Sequence, residues 1–271
     1  MKKVIATLLL LIPLIGQAQR SEVGIQGGLS FYMGDLNPAT PFKFIDPAGG
    51  FLYRYNFTDH WAIRGNAILG WVRADDAKSE VPAQLERNLS FTSQVLEFSL
   101  YGEFNFFKYT PGNMKHPISP FLFAGIALFK FNPKAEIDGA QYELQPLGTE
   151  GQGTTFYPDR KQYSLTTGSV PFGIGVKANI SRLFSAGIEW GMRYTFTDYL
   201  DDVSGVYADP DIVMQESGPV AGQLSNRSLT GTDDTDRQRG NSKTNDWYSF
   251  ALITFTYKIP GRPVKCAAYG E

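Results

Sequence analysis

Polar and apolar residues alternate along eight stretches of this chain, and together the stretches tile it from residue 22 to residue 259. In the first, Glu22–Phe31, the side chains of Val23, Ile25, Leu29 and Phe31 share a side. In the second, Gly50–Phe57, Phe51, Tyr53, Tyr55 and Phe57 oppose Arg54 and Asn56. The third, Trp61–Val72, sets Trp61, Ile63, Ala67, Leu69 and Trp71 against Arg64 and Asn66. The fourth ends at Phe106 and carries Leu96, Phe98, Leu100, Phe104 and Phe106 opposite Glu97, Ser99, Glu103 and Asn105. The fifth, Pro120–Phe131, has Phe121, Phe123, Ala127, Phe129 and Phe131 in register, which puts Lys130 on the other side. In the sixth, Val170–Ile180, Val170, Phe172, Ile174 and Val176 alternate with Pro171, Gly173, Gly175 and Lys177. The seventh, Phe184–Phe196, sets Ile188, Trp190, Met192 and Tyr194 against Glu189, Arg193 and Thr195. The eighth, Trp247–Ile259, turns Trp247, Ala251, Ile253, Phe255 and Tyr257 one way. A period of two in runs rich in aromatic and β-branched residues predicts strands. One break in phase stands out: Leu89, Phe91 and Val95 have the parity opposite to the rest of the fourth run. It predicts a bulge there, or the point where the strand leaves a bilayer.

The connections between runs alternate in length. Thr58-Asp59-His60, Ser181-Arg182-Leu183 and a turn around Pro111-Gly112-Asn113 are short, whereas Met33 to Gly49, Arg73 to Asn88, Asn132 to Ser169 and Asp198 to Asp246 are long. A tilted strand crosses the hydrocarbon core in about 9 to 11 residues, and an even number of such strands closes into a barrel without free edges. Short turns belong on the periplasmic side of such a barrel and long loops outside. A soluble sandwich would also alternate. Here, however, the apolar side carries aromatics at the ends of its runs (Tyr55, Phe57, Trp61, Trp71, Trp247, Tyr257), as an interfacial girdle does. The expected fold is all-β: an eight-stranded antiparallel transmembrane β-barrel over residues 19–259. The polar, Gly-rich stretches Gly148 to Gly153 and Gly218 to Gly240 are expected to be mobile loops.

The ends of the chain fit that picture. Lys2 and Lys3, an apolar run from Val4 to Ile15 and the small residues Gly16-Gln17-Ala18 make residues 1–18 a signal peptide, with maturation near Gln19. The apolar run is too short for a spanning helix, which needs roughly 20 residues. No Cys follows the small residues, so the cut is not that of a lipoprotein. Residues 260–271 form a tail past the last strand, periplasmic like the N-terminus, and the location is the cell outer membrane. A composition of 28 Gly, 20 Phe and 14 Tyr suits aromatic-rich strands, and a net charge of -2 argues against nucleic acid as a partner.

Parity directs nine charges inward: Glu22, Arg54, Arg64, Glu97, Glu103, Lys130, Lys177, Glu189 and Arg193, five positive and four negative. The interior of an eight-stranded barrel is just wide enough to be filled by side chains, and buried charges persist when paired. These residues are therefore expected to plug the lumen as an ion-pair network, against a general pore. Catalysis by a Ser-His-Asp site is disfavoured because the two histidines, His60 and His116, fall in the short turns. No catalytic residue, cofactor or metal is assigned. Asp201-Asp202, Asp209-Pro210-Asp211 and Asp233-Asp234-Thr235-Asp236 lack the ligand spacing of a calcium loop and are read as solvated charge. The single Cys266, in an exported chain, is either a free thiol or a bond to another chain, and an oxidising periplasm favours the intermolecular disulfide.

Particular residues carry a resemblance. They are Glu22-Val23-Gly24-Ile25, Tyr32-Met33-Gly34-Asp35-Leu36-Asn37, Ser119-Pro120-Phe121 and Pro171-Phe172-Gly173-Ile174-Gly175. To these add Thr197-Asp198-Tyr199-Leu200-Asp201-Asp202-Val203-Ser204, Arg239-Gly240-Asn241 and Asp246-Trp247-Tyr248. In these the chain resembles the PorG family, small outer-membrane barrels of the type IX secretion system of Bacteroidetes. The resemblance implies a non-enzymatic component that docks the periplasmic ring, built from a PorK-like lipoprotein and a PorN-like protein, to the outer membrane. It makes the PorK-like lipoprotein the expected partner of Cys266. The alternative is a free-standing barrel, an adhesin or membrane-stabilising protein working through its two largest loops.

Overall fold

The computed structural model describes residues 20–231 and 234–260. The expected signal peptide, the tail beyond Pro260, Cys266 and Asp233 lie outside the described residues. Eight long strands form the wall: β1 (Ser21–Met33), β2 (Asp46–Asn56), β3 (Trp61–Asp75), β4 (Ser90–Asn105), β5 (Ile118–Lys130), β8 (Thr166–Asn179), β9 (Phe184–Thr195) and β10 (Trp247–Lys258). A small hairpin of β6 (Pro133–Ile137) and β7 (Ala140–Glu143) stands on the loop-side end of β4, through Thr92↔Lys134. Its turn is Asp138-Gly139, both at positive φ, the tight type that matches strand twist.

Every neighbour is antiparallel, and β1 pairs with β10 from Glu22↔Lys258 to Met33↔Trp247, so the sheet closes on itself. The result is a closed eight-stranded antiparallel barrel. Its two rims differ. One carries the short connections and, next to each other, the start of β1 and the end of β10; the other carries the four long connections.

Outward residues form an apolar belt: Ile25, Phe51, Phe98, Ile126, Ile174 and Ile188 are each more than half exposed. Aromatics border it, with Trp61, Phe104 and Phe106 packed together at the turn rim and Tyr194, Phe196 and Trp247 at the loop rim. A closed wall that is apolar outside and hydrogen-bonded to itself all round is the arrangement a bilayer demands.

In the β5 strand the expected faces are exchanged. Phe121, Phe123, Ala127 and Phe129 are buried in the lumen, while Leu122, Ile126, Leu128 and Lys130 face out. Both faces of β5 are apolar, so alternation alone carried no direction. The rings point inward because the lumen has cations to cover and glycines to make room. The Phe123 ring stacks on Tyr101 at 4.9 Å and lies beneath the Arg64 guanidinium. It rests where a Cβ on Gly173 or Gly191 would collide with it, so the paired glycines open the space it fills.

No bulge occurs at the phase break of β4. The β3–β4 ladder runs without interruption from Trp61↔Phe104 to Asp75↔Ser90. Leu89, Phe91 and Val95 are buried because the lumen becomes apolar towards the loop rim, where they join Ile68, Val72, Phe129 and Phe250 in one core. The long connections fold over this core as a cap containing short helices: α1 (Pro82–Arg87), α2 (Leu144–Leu147), α3 (Pro210–Ser217) and α4 (Pro219–Ser225). Three of the four begin with Pro at the first helical position, where a missing N–H costs nothing.

The stretch from Gly148 to Gly153, expected to be mobile, is a packed turn of the cap. Thr149, Glu150 and Gln152 are buried in it, and Gly148, Gly151 and Gly153 supply positive φ. Much of the second stretch is likewise built in, through α4 and buried Arg239.

Candidate functional site

Six of the nine sequence-assigned charges meet at the turn-side half of the lumen. Glu103 is the hub: its carboxylate lies 2.9 Å from Arg54, 3.0 Å from Arg64 and 2.7 Å from Lys177. Arg54 also reaches Glu22 at 3.4 Å, and Arg64 grips Glu189 with two bonds of 2.6 and 3.0 Å. A second group sits towards the loops, where Arg193 pairs with Glu97 at 3.0 Å. Tyr101 and Tyr248 donate their hydroxyls to that Glu97 carboxylate at 3.0 and 2.9 Å. All eight of these residues are buried. The ninth, Lys130, is on the outer wall, for the reason given for β5. Its removal leaves four cations against four carboxylates, so the lumen is balanced.

Aromatic rings fill the space the ion pairs leave. Arg64 lies over Tyr101 at 4.9 Å, Lys177 over Tyr109 and Phe121 at 4.7 and 4.9 Å, and Arg193 over Phe250 at 4.4 Å. Desolvated cation–π contacts of this kind contribute about 2 kcal/mol each. Tyr109 comes from the turn between β4 and β5, which folds back into the barrel mouth. Its hydroxyl donates to Glu22 at 3.3 Å. The turn itself is held by Asn179, which donates to the carbonyls of Thr110 and Asn113. Sequence reasoning did not find this stopper: one Tyr in a polar turn gives no periodic signal.

The other mouth is closed by a polar cluster above the apolar core. Tyr32, at the loop end of β1, places its hydroxyl on Asp201 and, at 3.1 Å, on Asp246. Asp201 accepts from the backbone N–H groups of Leu36 and Val203, and Asp246 from that of Leu200. Asp35 accepts from the N–H of Asn241 at 2.8 Å. Glu150 accepts from the N–H groups of Ser204 and Gly205, and pairs with Arg239 at 3.1 Å. Asp202 takes the hydroxyls of Thr149 and Tyr163. On the flank, Arg87 grips Asp76 and donates to the carbonyls of Asp35 and Arg239.

Burial governs the acidity of these groups. It raises Asp198 to about 7 and, against the pull of Arg239, Asp202 to about 6. Asp201 and Asp246 are held well above the usual carboxylate range, by burial first and then by neighbouring negative charge, that of Asp35 on Asp201 and that of Asp201 and Asp198 on Asp246.

Asp201 and Asp202 were expected to be solvated and are instead 1% exposed. Charge runs in loops usually face water. These do not, because backbone amides of the connecting loops satisfy Asp201 and the hydroxyls of Thr149 and Tyr163 satisfy Asp202. One signal in the sequence bore on the cluster: Gly34-Asp35-Leu36, Asp201-Asp202-Val203-Ser204, Arg239-Gly240-Asn241 and Asp246-Trp247-Tyr248, the fragments behind the family resemblance, all converge on it. Gly240 is part of the fit, since a Cβ there would stand 2.3 Å from the Asp35 carboxylate.

Among the described residues no three acidic, His or Cys side chains are grouped to hold a metal ion. His60 bonds to the carbonyl of Asn105 at 2.8 Å in its turn, and His116 is exposed. Both are far in the chain's topology from the loop-rim acids.

Solved structures of similar shape are outer-membrane proteins. Ail, the attachment invasion locus protein of Yersinia pestis, crystallised with the heparin analogue sucrose octasulfate, is 10% identical. The match covers 88% of this chain and 98% of Ail, with a TM-score of 0.40. Neisserial surface protein A is 10% identical over 88% of this chain and 96% of its own, with a TM-score of 0.43. The N-terminal barrel of Pseudomonas aeruginosa OprF is 13% identical over 88% and 98%, with a TM-score of 0.36. At these values the likeness carries no argument about activity. Among curated proteins none matches this chain. Residues 2–211 match the family described as "Domain of unknown function (DUF6089)", and the chain belongs to that family.

Proposed function

We propose that this protein is a non-enzymatic outer-membrane anchor of a type IX secretion system, docking the periplasmic ring of PorK-like lipoprotein and PorN-like protein. The observation that carries the reading is the convergence described above. Fragments more than 200 residues apart that resemble the PorG family lock into a single buried cluster, as Asp35 and Asn241 do. They therefore behave as one structural signature. A lumen filled by ion pairs and aromatic rings, with Tyr109 in one mouth and the cap over the other, suits a fixed anchor better than a conduit.

In this reading the turn rim faces the periplasm. Both described chain ends leave from that rim, beside the Glu22↔Lys258 pair. The tail with Cys266 would then be presented to the ring, and an intermolecular disulfide to the PorK-like lipoprotein would add a covalent tie. Deleting the gene tests the main reading. Loss of protein export to the cell surface, with other outer-membrane barrels still assembled, is expected. Unimpaired export overturns it. For the tie, Cys266→Ser should remove a higher-mass band from non-reducing gels while leaving the barrel folded.

A second reading, a free-standing surface barrel that binds through its cap, is favoured by apolar side chains left open on the cap, among them Phe156 at 62% and Leu229 at 68% exposed. It predicts normal export in the deletion strain together with lost adhesion or a weakened envelope.

A further inference from the structure

The acids of the cap outnumber the cations that reach them. Arg87 is committed to Asp76, and Arg239 to Glu150 with Asp202 at 4.0 Å. That leaves Asp35, Asp198, Asp201 and Asp246 without a paired cation. Asp35 has one backbone N–H. Asp198 has less: it is 8% exposed, and neither of its carboxylate oxygens accepts a hydrogen bond among the described residues. The charges of Asp35 and Glu150 act on it, and its own acts on Asp246. The Ser204 side chain pulls the acidity of Asp198 back part of the way.

The contact of Tyr32 with two carboxylates makes a second, independent point. A phenol has one proton to donate. Its oxygen is within bonding distance of both Asp201 and Asp246, so only one of those contacts can be a bond from tyrosine to carboxylate. A proton on one aspartate, donated to the phenol oxygen, satisfies the other contact. A metal ion in that role would need carboxylates grouped around one point, and among the described residues they are not.

We propose that the cap is a proton-held latch: the Asp201–Tyr32–Asp246 bridge and Asp198 bind protons when the long loops are closed over the barrel, and release them when the loops open. Two ionised carboxylates joined through one hydroxyl repel each other, and an ionised Asp198 has only the Ser204 side chain to offset its burial. Loss of the protons therefore frees the described loop residues 196–231 and 234–246 from β1.

The sign follows from the raised acidities. A carboxyl whose proton is held more tightly when folded stabilises the closed form most at pH below its ordinary value near 3.8. That contribution is lost as pH rises towards its folded value, about 7 for Asp198. Charges on other elements also face these groups. Asp35 and Glu150 add to the repulsion, Arg87 and Arg239 reduce it from a distance, and Tyr163 and Tyr199 stay neutral across the range.

Hydrogen exchange on the barrel refolded in lipid vesicles tests the latch, with amide protection in residues 196–231 corrected for the intrinsic effect of pH. Protection should fall by about tenfold or more between pH 5 and pH 8.5, while β8 and β9 stay unchanged. Asp198→Asn and Asp246→Asn, neutral at every pH, should each weaken the dependence, and the two together should abolish it and keep the loop protected at pH 8.5. Infrared spectra of the wild type at pH 6 should show a protonated carboxyl band that weakens in Asp246→Asn. This readout survives even where a variant loosens the loop. Protection that is flat with pH in the wild type, or a full pH response in both Asn variants, overturns the proposal. So does protection at pH 8.5 that is restored by calcium and removed by chelator.

Discussion

The two polar regions of this barrel solve the same problem differently. In the turn-side lumen each buried carboxylate meets a cation: Glu103 touches three, and Glu189 holds Arg64 with two bonds. In the loop-side cap, backbone amides and hydroxyls do most of the work, and several acids share two guanidinium groups. The lumen is therefore complete in its own ion pairs, whereas the cap is complete only with protons in place. Rigidity belongs to the first region and conditional closure to the second. The apolar core around Ile68 and Phe250 separates them, so changes in one should scarcely affect the other.

The largest effect that could break the comparison is at the lumen hub. Glu103→Gln leaves Arg54, Arg64 and Lys177 crowded together without their common counter-ion. The expected loss is about 3 to 5 kcal/mol in urea unfolding of the barrel from lipid vesicles. A change below about 1 kcal/mol would mean that the cations are compensated by something other than this carboxylate. Cap protection measured by hydrogen exchange should not change in this variant.

Next in size are paired substitutions on β5. Phe123→Ala empties the slot made by Gly173 and Gly191 and should cost about 3 to 5 kcal/mol. Ile126→Arg places a charge in the apolar belt and should cost about 2 to 4 kcal/mol near the bilayer midplane. If Phe123→Ala costs more than Ile126→Ala, the lumen assignment stands, because the packed interior loses contacts that lipid chains can refill on the outer face. The reverse order would restore the opposite orientation of β5.

In the cap, Arg239→Met removes the one guanidinium that ties Glu150 to the carbonyl of Asp202. About 1.5 to 3 kcal/mol should be lost, confined to the cap, since these are charge-assisted bonds within a local unit. Faster exchange in residues 148–157 and 196–231, with an unchanged unfolding midpoint for the barrel, is the expected result.

Legibility in the sequence followed the same division. The wall was readable because a strand that separates lipid from a polar lumen must alternate, and across the belt the strands other than β5 did so with their charges on the lumen face. Arg64, Glu97, Glu189 and Arg193 could be placed from parity before any contact was known. β5 was not readable in direction, because Phe and Leu look alike to a periodicity argument; what decides between them is the cation beneath the ring and the glycine opposite it. The cap was unreadable for another reason. Its acids are satisfied by amides of residues distant in sequence, as with Leu36 on Asp201, and such bonds leave no periodic trace. Only the clustering of distinctive fragments marked it, without saying that they touch.

The smallest expected effect is also the one that most directly separates the two readings of the interior. Lys130 and Lys177 have the same chemistry and were both assigned to the lumen by parity. Lys177 is 2% exposed, sits 2.7 Å from Glu103 and has a ring on each side. Lys130 is the last residue of β5 and faces outward at the edge of the apolar belt, near Glu143 of the β6–β7 hairpin. There a long aliphatic stem can lie on the belt while the ammonium reaches water, at little cost. Lys130→Leu should therefore change barrel stability by no more than about 0.5 kcal/mol, the range of surface substitutions. Lys177→Leu should cost about 3 kcal/mol, as for a broken buried pair. Unfolding both variants in the same vesicles checks this, and a Lys130→Leu loss comparable to that of Lys177→Leu would return the fifth cation to the lumen and undo its charge balance.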